Sequence, residues 1–301
     1  MKRLLLLIFI LPSFMAMTQT DTIKNWKVEN KISLNFSQSY FSNWSAGGEN
    51  TLAITGKYTA SANYNKGKHK WDNWLDLGLG YSLIGENDPM KTDDKIEFIS
   101  SYGYKFHEKV FATMLMTFRS QFAKGYDYKV DSTNFISKFL APATIDIGPG
   151  IEWKPNEYFS VNFSPVTARW IVVNDQELAD LGSFGLDPAI VDTSGLIIEH
   201  AKKVKSMFGA KVLTVFNYEI FKNVDFATKL ELFSDYLNKP QNIDVNWQVL
   251  LTLKVNSWLN VNINTELIYD DDIIFHDSDG NVLGPRTQFN ENMQLGLVAT
   301  F

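Results

Sequence analysis

The chain contains no cysteine, which removes disulfide frameworks, thiolate nucleophiles, Cys-ligated metals and a lipoprotein anchor together. It also lacks a basic excess. Its 28 Lys and Arg stand against 34 Asp and Glu, and a leader holding Lys2 and Arg3 would take two of those cations with it. A nucleic-acid footprint is therefore absent. Beyond the first residues nothing approaches the roughly 18 consecutive apolar residues of a membrane helix. Mean hydropathy is only −0.14 although 45% of residues are hydrophobic. A chain like this crosses a membrane, if at all, with strands. Aromatic residues reach 14%, high for a water-soluble domain, and the interfacial girdles of a barrel are one place that consumes them.

What is present begins with a leader. Residues 1 to about 19 read as a secretory signal peptide: Lys2 and Arg3, an apolar run from Leu4 to Leu11, Pro12, then small or polar residues around Ala16 to Thr20. The apolar core is too short for a membrane helix, so export of residues 20–301 as one domain is expected.

From Trp26 onward the recurrent period is two, the period of a strand. Ile32, Leu34 and Phe36 alternate with Ser33 and Asn35; Leu75, Leu77 and Leu79 with Asp76, Gly78 and Gly80; Val245, Trp247, Val249 and Leu251 with Asn246 and Gln248. Twelve such segments can be counted, several long enough for the roughly 9–11 residues that a tilted strand needs to cross a bilayer. Pro165 marks a bulge in the seventh, because proline cannot donate to a ladder, and a bulge there would turn Arg169 inward. Connections alternate short and long. Tight turns are expected at Asn65–Lys68, His107–Lys109, Pro155–Tyr158, Phe221–Asn223 and Asn256–Trp258, flanked by aromatics such as Tyr64, Trp71, Phe106, Trp153 and Trp258. The expected fold is all-β: a transmembrane antiparallel up-and-down barrel of about twelve strands, with short periplasmic turns and long extracellular loops.

The final stretch, Thr287 to Phe301, alternates the same way and ends on an aromatic residue. Gln294, Gly296, Ala299 and Phe301 resemble the C-terminal assembly signal of outer-membrane barrels, which implies the barrel-insertion machinery as a partner. Further stretches, Asn43-Trp44-Ser45-Ala46-Gly47-Gly48-Glu49-Asn50, Lys91-Thr92-Asp93-Asp94-Lys95, Ser101-Tyr102-Gly103-Tyr104, Gln121 through Tyr126 and Phe139-Leu140-Ala141-Pro142, resemble an uncharacterised family of exported outer-membrane barrel proteins of the Bacteroidota, catalogued as a domain of unknown function. The resemblance implies fold and location in the bacterial outer membrane, in contact with outer-membrane lipid. It supplies no catalytic residue.

Several groups could carry function. Arg119, Arg169, Lys203, Lys205, Lys211, Lys229, Glu231, Asp76, Asp146 and Glu152 fall on the inward register. They could line a pore and bias it by charge, or pair across the lumen and plug it. In SNWSAGGEN, Trp44, Gly47, Gly48 and Glu49 could form an outer recognition tip, or simply a hairpin connection with an interfacial anchor. Asp270, Asp271, Asp272, Asp277 and Asp279 could hold Ca²⁺ through carboxylate oxygens, but the spacing fails the EF-hand pattern and a solvated turn explains them as well. A hydrolase at the outer rim would need His beside Ser. His69 and His107 sit at the wrong end, leaving His200 and His276 with Ser194 and Ser278 nearby in sequence. No cofactor is implied. The expectation is a non-enzymatic barrel, a narrow pore or binding barrel for a small hydrophilic solute, with long connections Ala123–Leu140 and Asn174–Ala201 able to fold over or into its mouth. The rival readings are a structural or interaction barrel acting through its outer loops, and a lipid-modifying enzyme.

Overall fold

A computed structural model describes residues 25–42, 45–46, 48–128, 131–276 and 281–301. Twelve long strands run in sequence: β1 (Trp26–Ser39), β2 (Thr51–Lys66), β3 (His69–Ile84), β4 (Met90–His107), β5 (Val110–Ser120), β6 (Ala143–Trp153), β7 (Phe159–Val172), β8 (Val204–Phe221), β9 (Val224–Asp235), β10 (Asp244–Lys254), β11 (Leu259–Tyr269) and β12 (Gln288–Thr300). Each pairs antiparallel with its sequence neighbours, and β12 returns to β1 to close the ring. That seam is the shortest ladder, running from Lys31↔Thr300 to Phe36↔Leu295, whereas β1 and β2 pair from Trp26↔Tyr64 to Ser39↔Thr51. Closure leaves no free sheet edge along the paired rows, the condition for a β structure to sit in hydrocarbon.

The alternation in the sequence becomes two faces with opposite chemistry. Ile32, Leu34, Ile54, Tyr81, Met114, Ile147, Phe163, Phe208 and Trp247 are exposed on the outside of the ring. Asn35, Thr55, Glu97, Thr117, Asp146, Arg169, Lys211 and Glu231 are buried inside it. A water-soluble protein inverts this distribution, so the outer rows form a lipid-facing band and the barrel is a transmembrane one. Among the described residues no helix is long and apolar enough to cross a membrane.

Local chemistry sets the details. Between Ser164↔Lys211 and Thr167↔Gly209 strand β7 carries one residue more than β8, a bulge at Pro165 and Val166, and the shift puts Ser164, Thr167 and Arg169 on the inner face. β6 accommodates the bulge with Gly148 and Gly150, where an added Cβ would meet the Val166 and Phe163 carbonyl oxygens. All five tight turns lie where the sequence places them, at one end of the barrel. Gly67 (φ 62°) and Asn223 (φ 64°) supply left-handed turn residues there. The six longer connections lie at the other end, and three contain structure that period-two reading misses, residues 270–287 among them with a short pairing of Phe275–His276 and Val282–Gly284. Residues 121–142 hold a small hairpin (Gly125–Asp127 with Asp131–Ser137), and residues 173–203 hold a short helix α1 (Gln176–Asp180) and a second hairpin (Ile190–Val191 with Ile197–Glu199).

Candidate functional site

The inner faces of β3 to β10 converge on a layer of ion pairs. Lys211 Nζ reaches Asp146 Oδ2 at 2.6 Å, Glu231 Oε2 at 2.9 Å and Thr117 Oγ1 at 2.8 Å. Arg169 binds Asp146 through Nε (2.8 Å) and Nη2 (3.2 Å), Glu231 Oε1 through Nη2 (3.2 Å) and Asp244 Oδ2 through Nη1 (3.0 Å). Its guanidinium also stacks 3.7 Å from the centre of the Phe233 ring. Arg119 pairs with Glu231, and Lys229 with Glu97. Lys95 bonds Asp76 at 2.9 Å and Glu97 at 3.0 Å, and reaches Gln248 Oε1 at 2.9 Å. β4 and β10 stand six places apart in a ring of twelve, so the Lys95–Gln248 bond spans the full width of the lumen. Lys211 and Asp146 are each 1% exposed. Charges this dry persist only when paired and hydrogen-bonded. Five cations, Lys95, Arg119, Arg169, Lys211 and Lys229, meet five anions, Asp76, Glu97, Asp146, Glu231 and Asp244, and the layer is neutral.

Above the layer, at the long-loop end, the 173–203 connection folds inward. Val173, Leu178, Ala179 and Leu186 are buried against Met207 and Phe233, inner-face residues of β8 and β9, together with Ala141 and Ile171. The connection is tied down by polar contacts. Lys205 Nζ bonds the Gly185 carbonyl (2.9 Å) and Asp272 Oδ2 (2.6 Å), joining two long connections. Asp175 caps α1, accepting from the Leu178 amide at 3.1 Å, and pairs with Lys138 at 2.5 Å. The hydrogen bond from Lys138 holds the Asp175 carboxyl below its ordinary value. A depressed carboxyl keeps its contribution above the unfolded value of about 3.9 and loses it as pH falls through the lower folded value. Asp175→Ala is accordingly expected to cost about 1 kcal/mol of local stability, read as faster hydrogen exchange at Leu178. Equal exchange in wild type and variant at neutral pH would show that the cap does not hold the segment.

Below the layer lies a cavity of about 1030 Å³. Strand and tight-turn residues line it, among them Gly67, Lys68 and Glu157, and no described residue of the six long connections does. The cavity therefore opens at the tight-turn end. Near its mouth Lys70 pairs with Glu152 and with Asp72 (3.0 Å), and higher up Lys57 pairs with Asp93 at 3.3 Å. Amides of Asn63, Asn264, Asn290 and Asn292 line the wall too.

Of the ten inward charges read from the sequence, Arg119, Arg169, Lys211, Lys229, Glu231, Asp76 and Asp146 meet in the layer, and Glu152 lies near the cavity mouth. Neither Lys203 nor Lys205 joins them. Lys203 precedes β8 and its carbonyl accepts from the Val173 amide. Lys205 shares the inner face of β8 with Met207 and Lys211 but stands at the long-loop end, outside the layer, where the infolded connection captures it. The sequence reading leaves out Lys95, Glu97, Lys70 and Asp244. The KTDDK stretch works both faces of the wall: Asp93 and Lys95 point into the lumen, whereas Lys91 and Asp94 bond each other at 2.8 Å and hold Gln121, Phe122 and Ala123 at the start of the 121–142 connection.

Trp44 and Gly47 lie outside the described residues. Gly48 sits at φ 141° against the Phe41 ring, and Glu49 is exposed beside Gly85. Asp270 caps its own turn through the Asp272 amide, Asp271 accepts from Asn242 and Asp272 from Lys205; Asp277 and Asp279 lie outside the described residues. Among the described residues no group of three or more His, Asp or Glu is arranged for a metal. His200 bonds Asp180 (2.7 Å) and Ser194 bonds Asp192 (2.6 Å), separate carboxylates; Ser278 lies outside the described residues.

Residues 36–126 match the family described as Protein of unknown function (DUF3078), which fits the uncharacterised family that the motifs resemble. No curated protein matches. Solved structures that the fold is similar to include the NanC porin (10% identity, 90% of this chain and 98% of that one, TM-score 0.38) and an outer-membrane channel from Pseudomonas putida F1 (10% identity, 91% and 95%, TM-score 0.39). A third is the translocator domain of the autotransporter NalP from Neisseria meningitidis (8% identity, 94% and 91%, TM-score 0.33).

Proposed function

We propose that this chain is an outer-membrane barrel that receives a small hydrophilic solute from the periplasmic side and holds it in an obstructed lumen, without turnover chemistry. The observation that carries this is the pairing of a polar cavity open at the tight-turn end with a neutral ion-pair layer spanning the lumen above it. An open pore needs a continuous wet path, and charges lining it stay solvated. Here they are spent on one another. The leader directs export, the lipid-facing rows fit a bilayer, and short turns on the periplasmic side are the usual orientation of such barrels. A cavity near 1030 Å³ stands at the upper end of the range of small-molecule sites, about 300–1,000 Å³.

The cysteine-free sequence gives a clean test. Asn63→Cys on the cavity wall should react with a kilodalton-sized maleimide only after the outer membrane is permeabilised, and wild-type protein in planar bilayers should show no stable stepwise conductance. Labelling in intact cells, or large steady conductance steps from the wild type, would replace this reading with an open pore.

A further inference from the structure

The inner face of β3 reads Asp72, Trp74, Asp76, and the tryptophan is out of place. Its cross-strand neighbours are Ser61 on β2 and Ile99 on β4. Trp74 lines the cavity and is 43% exposed. Trp71 and Trp247, exposed to a similar degree, belong to the lipid-facing rows, and their indole N–H groups donate to Ser100 and Thr228. Trp26, also at the cavity, packs on Tyr64 and Trp71. Trp74 has no ring partner and no hydrogen bond from Nε1 among the described residues. An indole left bare in an aqueous lumen, with its polar edge free, is an unfilled apolar platform with a donor at its rim.

The surrounding charges constrain what can settle on it. Asp72 is held by Lys70, Asp76 by Lys95 and Asp93 by Lys57, so the wall around Trp74 presents neutralised pairs. Beside these pairs the cavity offers a ligand the indole face, the Ile99 side chain, amides such as Asn63 and Asn292, and the Glu266 carboxylate, which accepts from the Asn246 and Gln248 amides. An apolar face flanked by amide donors and acceptors matches a ring whose C–H faces are apolar and whose edge is hydroxylated. We propose that Trp74 is the stacking platform of a binding site for a short neutral oligosaccharide, an inference that rests on the cavity being reached from the tight-turn end.

Calorimetric titration of the folded, detergent-solubilised barrel with maltotriose, cellotriose and chitotriose tests this. At least one should bind with a Kd in the millimolar range or tighter. Trp74→Ala should weaken it about tenfold, equal to about 1.4 kcal/mol. Trp71→Ala on the lipid face should leave it unchanged, and heat-modifiable migration in gels checks that each variant is folded. The assignment falls if none of the three binds, if Trp74→Ala binds like wild type, or if glucose 6-phosphate binds more tightly than every neutral sugar. Should sugar binding fail while Asn63→Cys still labels only in permeabilised cells, the ligand class is wrong and the periplasm-facing cavity stands.

Discussion

Glu231→Gln is expected to destabilise the folded barrel by about 3–5 kcal/mol, the scale for removing one partner from a buried ionic network. Three cations converge on this carboxylate: Arg119, Arg169 and Lys211. Arg169 and Lys211 keep Asp146, but Glu231 is the acceptor that Arg119 bonds, and Arg119 Nη1 is already buried with no hydrogen-bond partner among the described residues. The amide keeps the shape and removes the charge, so the cost measures the unbalanced cation and not a cavity. Urea titration of refolded protein, followed by heat-modifiable migration, gives the difference. Adding Arg119→Met should restore a large part of the loss, and the double-mutant cycle should show coupling of more than about 1 kcal/mol. If the single substitution costs less than that, the layer is a wet lining and the obstructed-lumen reading loses its basis.

Gly209→Val is expected to prevent refolding, or to cost more than about 3 kcal/mol if folding survives. The reason lies beside the β7 bulge. Gly209 faces Thr167 on one side and Asp235 on the other, and a Cβ built on it would fall within the radius of the Ser234 carbonyl oxygen and against the Phe233 ring. Both neighbours are fixed, the first as backbone and the second as the ring on which Arg169 stacks. Gly56 supplies the control. A Cβ there meets nothing within 4 Å, and Gly56→Ala should be neutral or slightly stabilising. A Gly209→Val protein that refolds with wild-type urea sensitivity would mean that β8 and β9 can separate locally without penalty.

Most of the wall was legible because its signal is local. Ser33 and Asn35, set between Ile32, Leu34 and Phe36, announce their faces without reference to the rest of the chain, and Pro165 announces a bulge because it lacks a donor wherever it stands. The lumen was less legible because its partners are distant in sequence. Nothing near Lys229 points to Glu97, and nothing near Lys95 points to Gln248. Lys95 escaped notice for a second reason: it closes KTDDK, a stretch whose polarity reads as loop although β4 already begins at Met90. Trp74 escaped because a tryptophan on a polar row looks like noise in a two-residue period. At Lys205 alternation gives the inner face, but it cannot foresee that the 173–203 connection folds back over that side chain. Asp175 followed by Gln176-Glu177-Leu178 carries a cap signal, yet a helix as short as Gln176–Asp180 is hard to separate from a turn by pattern.

The seam has a bearing on how the barrel comes to exist. Its partners, Lys31 with Thr300 through Phe36 with Leu295, are nearly the whole chain apart, while every other ladder joins consecutive strands. Hairpins can therefore form early and cheaply, each closing only a short loop, but the ring waits for the contact of highest sequence separation, and that contact has the fewest backbone bonds with which to repay the loop entropy. The chain should pass through a nearly complete curled ribbon whose two free edges are β1 and β12, and when the finished cylinder is pulled or heated, that is the line along which it should first unzip.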